Sequence, residues 1–121
     1  MKHTMIALLL SAVSALSLAA SPAPGATQEI EHLIGHLENS GCEFQRNGSW
    51  HDSHKAAEHL RSKYDYLLKK GWVETAEDFI ARAGTQSSIS QKPYLVRCSG
   101  KEAESSASWL QAELKRYRSR Q

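Results

Sequence analysis

The chain has 121 residues, 40% of them hydrophobic and 23% charged, with 15 Lys and Arg against 13 Asp and Glu. That length suits a single modest domain, and a charge balance so near neutral excludes nucleic acid as the main partner, because phosphate backbones call for a marked basic excess. No stretch beyond the N-terminus is apolar enough to cross a membrane, which excludes stable membrane insertion of the remainder.

Lys2 and His3 give a basic start, and Met5 to Ala20 is an apolar run without charge. Ser17-Leu18-Ala19, Leu18-Ala19-Ala20 and Pro24-Gly25-Ala26 offer small residues at cleavage positions. This is the pattern of a secretory signal peptide. The run is short for a membrane span of about 20 residues. No cysteine follows it to carry a lipid. We expect residues 1–26 to be signal peptide and spacer, with cleavage near 19–26, and residues 27–121 to be one globular domain. Lys2 leaves with the signal, so the mature chain carries one more basic than acidic residue. The cluster Lys115, Arg116, Arg118 and Arg120 suits the negative end of a last helix.

Thr27 reads as an N-cap, with Glu29 and Glu31 in the first turn and Ile30, Leu33, Ile34 and Leu37 at helical spacing. Gly41 can end this helix in a left-handed conformation. Asn47-Gly48 between two strand-like runs predicts a hairpin, with Arg46 facing Ser49, Gln45 facing Trp50 and Phe44 facing His51. Asp52 or Ser53 caps the next helix, whose apolar face is Ala56, Ala57, Leu60, Tyr64, Leu67 and Leu68, with Arg61 and Asp65 spaced to pair. Gly71 ends it.

Thr75 starts a short helix with Asp78 closing a capping box, Phe79, Ile80 and Ala83 inward, and Gly84 at its end. Thr85 to Lys92 is a polar loop. Pro93 opens a strand from Tyr94 to Cys98, and Ser99-Gly100 turns the chain. A last helix begins near Ser105 or Ser106 with Ala107, Leu110, Leu114 and Tyr117 on one stripe and Trp109 beside it. Cys42 and Cys98, an even count in an exported chain, are expected to form a disulfide rather than to act as redox or nucleophilic thiols, and there is no CxxC. Closing so long a loop contributes about 4 kcal/mol on chain-entropy grounds. The predicted fold class is α+β: a three-stranded antiparallel sheet, made of the hairpin and the late strand, packed by about four helices.

Ser40-Gly41-Cys42, Phe44, Arg46-Asn47-Gly48, Ala56-Ala57, His59-Leu60, Lys63-Tyr64, Thr75 to Ile80, Ser87-Ser88, Pro93-Tyr94, Cys98 and Trp109-Leu110 together resemble the YfeK-like family of short exported bacterial proteins, a domain of unknown function. The resemblance spans nearly the whole mature chain. It implies a periplasmic protein and carries no activity, substrate or catalytic residue. One departure stands out: Ser90-Gln91 occupies the place where Ser-Gly is expected before Lys-Pro-Tyr.

Four groups of residues invite a chemical reading. Glu29, His32 and His36 share a helix flank, and the two histidines have zinc-helix spacing, but Leu-Ile-Gly between them lacks a general-base Glu. Relative to the apolar stripe they are expected to face solvent, and no metal site is assigned. His51, His54 and Glu58 make a weaker set, without a cysteine pair. His59, Lys63 and Tyr66 share a flank of the second helix. A cleft bringing His59 and Lys63 to the sheet would permit acid–base work, yet a locally bonded His59 and a snorkelling Lys63 are the preferred reading. Ser87, Ser88 and Ser90 could hold an anion. There is no Gly-x-Ser-x-Gly elbow, so backbone-satisfying turn roles are preferred.

The expected function is therefore a small non-enzymatic periplasmic binding or interaction protein. It needs no cofactor and meets an envelope protein or cell-wall component through His59, Lys63, Ser87, Ser88 and Tyr94. The alternatives are an inhibitor or immunity-type protein against a secreted hydrolase, using the Thr85–Lys92 loop, and a small hydrolase using His59 with Ser87 or Ser88. Exposed aromatics such as Trp50 and Trp72 would favour binding, and a pocket joining His59 to one of those serines would favour catalysis.

Overall fold

A computed structural model describes residues 21–121; the predicted signal peptide lies outside the described residues for nearly its whole length. The first helix, α1 (Ala26–Asn39), starts one residue before the predicted cap. Gly25, at φ 86°, takes the N-cap position in place of Thr27, and no side chain caps this end. The spacer is already tied in, since the Ala23 N–H donates to the Glu74 carbonyl at 2.7 Å. Ile30, Leu33, Ile34 and Leu37 are buried, as their spacing predicts.

The hairpin joins β1 (Glu43–Arg46) to β2 (Ser49–His51) in the predicted register, with Asn47 and Gly48 both at positive φ. The second helix, α2 (Ser53–Lys70), is capped by Asp52, which accepts from the Lys55 N–H, and ends at left-handed Gly71. Its buried face omits Leu68, which sits at the margin of the stripe and is 37% exposed. Arg61 pairs across to Glu31 on α1 rather than down its own helix to Asp65. Thr75 and Asp78 form the full capping box of α3 (Ala76–Ala83). Gly84, which follows, has an ordinary φ of −100°, so its lack of a side chain serves packing. A Cβ there would meet Leu110 at 2.6 Å.

Strand β3 (Leu95–Arg97) pairs antiparallel with β1. The predicted strand is thus trimmed at both ends. The sheet has four strands, not three: β4 (Glu104–Ser105) pairs with β3 and runs straight into α4 (Ser106–Ser119), with Ser105 serving as strand residue and N-cap at once. Two residues are too few to show any alternation, and this stretch reads as a charged lead-in to the helix. The strand order is β2-β1-β3-β4, so the disulfide Cys42–Cys98, one residue before β1 and one after β3, ties together the central pair.

Phe44 and Val96 point from those strands into one core shared by all four helices, where Trp109 is also buried rather than lying beside the stripe. On the other face Arg97 reaches Glu43 and covers the Trp50 ring at 3.9 Å.

Candidate functional site

His59 leaves the buried face of α2 one position before core Leu60 and stands half-buried against the sheet. Its hydrogen bonds are long-range, not local. Arg46, the last residue of β1, approaches Nδ1 at 2.8 Å, and Tyr94, just before β3, approaches Nε2 at 3.0 Å. A guanidinium can only donate, so Nδ1 is the acceptor, and Nε2–H donates to the Tyr94 hydroxyl oxygen. Lys63, one turn further along α2, donates to the same oxygen at 3.2 Å and to the Gln86 carbonyl at 3.1 Å. Its ammonium also lies 5.0 Å from the centre of the Tyr94 ring.

The electrostatics follow from this wiring. Burial, then the charges of Arg46 and Lys63, push the His59 pKa down to about 4, so the imidazole is neutral. Burial and the Arg46 charge hold the Lys63 ammonium below its usual range, and burial pushes the Tyr94 phenol up. Arg61, Arg97, Arg116 and Arg118 each meet a carboxylate. Arg46 and Lys63 form no ion pair among the described residues.

Two cavities open on either side of His59 and Ser62. One, of 310 Å³, runs toward the hairpin past Arg46, His51, Lys55 and Glu58. The other, of 560 Å³, runs toward the far end of α2, between Lys63, Tyr66 and Trp72 on one side and Arg82 and Ser88 on the other. Together they make one groove along the flank of α2. Tyr66 and Trp72 are half-exposed there, their rings at 77° and 6.2 Å apart.

Of the residues singled out in the sequence, His59, Lys63 and Tyr94 come together directly, and Ser88 lines the larger cavity. Ser87 does not reach His59. It is buried, and its oxygen accepts from the Ile89 and Ser90 N–H groups, holding the loop. Ser88 shares a cavity with His59, but both imidazole nitrogens are already engaged, which leaves none to take a serine proton. Arg46 escaped the sequence reading. Its signal was its place beside the Asn-Gly turn, facing Ser49, with no acidic neighbour across the hairpin. Arg82 was equally unremarked.

The loop from Thr85 to Lys92 is braced rather than loose. Ser87 and Lys92 bond across it, and Ser90 bonds to Asn47 of the hairpin turn. Gln91 takes the left-handed conformation, φ 59°, that the expected glycine would adopt freely. Ile89 at its tip is 93% exposed.

The histidines of α1 do not face solvent, contrary to expectation. His32 and His36 turn to α4, where each Nε2 lies 3.3 Å from one oxygen of Glu113; the His32 ring stacks on Tyr117 and the His36 ring lies tilted against Trp109. Glu29 is not their partner; it pairs with Arg118. His54 meets Glu38 at 3.6 Å. Among the described residues no group of three or more His, Cys, Asp or Glu side chains is placed to hold a metal ion.

Comparison with known proteins gives kinship without chemistry. Over 51 residues the chain is 41% identical to the uncharacterized protein YfeK of Salmonella typhimurium, a match covering 42% of this chain and 41% of that one. The chain thus spans about two-fifths of that curated relative. No solved structure matches. Residues 24–118 match the family of unknown function DUF5329, and the chain belongs to that family.

Proposed function

We propose that this is a non-enzymatic binding protein of the bacterial periplasm, exported by its N-terminal signal, whose partner is an envelope protein or cell-wall component seated in the α2 groove. One observation carries the reading: Arg46 and Lys63 are half-buried beside that groove and form no ion pair among the described residues, although Glu58 lines the hairpin-side cavity. Holding cations partly out of water is unfavourable, and a bound anion reverses that cost. No cofactor enters this reading.

The test is capture from envelope extract by the parent and by the double variant Arg46→Glu, Lys63→Glu. The parent should retain a partner that the variant loses even when compared at equal folded fraction, since the variant also gives up the Arg46–His59 and Lys63–Tyr94 hydrogen bonds. Equal retention would sink the reading.

The braced loop favours a second reading, an inhibitor or immunity-type protein. A rigid loop presenting one bare apolar residue loses little entropy on inserting it into a hydrolase. Ile89→Asp would abolish inhibition of the hydrolase in that case and leave groove binding intact.

A further inference from the structure

We propose that the ligand of the α2 groove is an anionic sugar, a glycan whose rings carry carboxylate or phosphate; this rests on the binding reading above. The larger cavity supplies each element such a ligand needs. Lys63 and Arg82 line it, no acidic side chain does, and neither cation forms an ion pair among the described residues. Tyr66 and Trp72, 54% and 48% exposed, meet edge to face and so form an open corner rather than a closed stack. A sugar ring presents C–H faces to such aromatic surface while its hydroxyls point sideways. Ser62 on α2 and Ser88 on the opposite side can both donate to and accept from hydroxyls. The volume of 560 Å³ falls in the usual ligand range of about 300–1,000 Å³.

An acidic peptide would meet the same charges but finds few backbone partners there. The α2 wall offers none, because its interior N–H and C=O groups are bonded within the helix. The edge strand β2 contributes no residue to this cavity, so an extended peptide finds no ladder to join.

The experiment follows tryptophan emission of the purified protein against four probes: an oligogalacturonate, its methyl ester, glucosamine 6-phosphate and an oligoglutamate peptide. At least one anionic sugar should bind saturably, and the responding arm distinguishes carboxylate from phosphate. The signal should vanish in Trp72→Phe, and the methyl ester should bind at least about tenfold more weakly than the free acid if that arm responds. Lys63→Met with Arg82→Met should weaken binding by about tenfold or more, and Arg82→Met alone, on the exposed flank of α3, serves if the double variant does not fold. Binding of the ester equal to that of the acid, or of the peptide but neither anionic sugar, overturns the sugar assignment. The peptide result leaves the anion groove standing. Silence from every probe also overturns the sugar assignment. If the charge-reversal variant then captures the same envelope partner as the parent, the groove reading falls with it.

Discussion

His32 and His36 on α1 and His59 on α2 are all half-buried on a helix flank, yet their surroundings have opposite charge. In the α1–α4 seam a carboxylate, Glu113, only 3% exposed, is met by two imidazoles and by Arg116 at 3.2 Å. On α2 a neutral imidazole lies between two cations and a phenol, without a carboxylate. The charges of the seam are answered by its own residues. The α2 cluster carries positive charge that no ion pair among the described residues balances. Histidine on an amphipathic helix therefore says little by itself; what faces it from the next element decides between packing and recognition.

The largest effect should come from the seam. Glu113→Ala removes the acceptor shared by two imidazoles and Arg116 and leaves a hole under α4, so it should cost about 2–4 kcal/mol in denaturant melts without changing groove binding in the protein that remains folded. If Glu113→Ala is tolerated, the seam does not depend on its shared carboxylate. His59→Ala comes next, at about 1–3 kcal/mol, because Arg46 and the Tyr94 hydroxyl lose their common partner.

The pH dependence sharpens this point. The unfolded His59 takes a proton near 6.5, while the folded one resists it down to about 4. Its contribution is thus present above pH 6.5 and lost as pH falls through about 4. His36, lowered chiefly by burial, acts in the same sense from the seam. Melting temperatures should fall with acid in the parent and less steeply in His59→Gln; equal slopes would place the titration elsewhere, in the seam or on Glu31, Glu77 and Asp78, whose carboxyls are also held low.

Gln91→Gly should gain about 0.5–1 kcal/mol by relieving the left-handed backbone, which would show that the groove-side loop carries strain the seam does not. Smallest in stability is Lys63→Met. Losing two hydrogen bonds and relieving the repulsion from Arg46 should offset to within about 0.5 kcal/mol, while ligand capture falls.

What could be read in advance was local. The Asn47-Gly48 turn, the Asp52 and Ser105 caps and the Thr75–Asp78 box are each written within four residues, and all are present. The disulfide followed from an even cysteine count in a chain read as exported. What stayed hidden depends on distant chain. His59 meets Tyr94 35 positions away, and His32 meets Glu113 81 positions away. The second pairing did leave a trace. Glu113 sits among Trp109, Leu110 and Leu114 on the buried stripe of α4, and an acid in that place demands a partner. Two histidines four apart on another amphipathic helix were the natural supply. β4 left no trace, because two residues hold no pattern.

The central strand pair has a consequence for how the chain reaches its fold. β1 and β3 are adjacent in the sheet, yet Phe44 must wait for Val96, with the hairpin, α2 and α3 made in between. Early segments can form their turns and caps as soon as they emerge. The core face of β1 cannot close until four-fifths of the chain is present, and contacts of such long separation are slow to find. Cys42 and Cys98, 56 residues apart, flank that pairing, and the pairing brings them within bonding distance. After reduction, refolding should lag while secondary structure returns promptly, and the cross-link marks which molecules have finished the search.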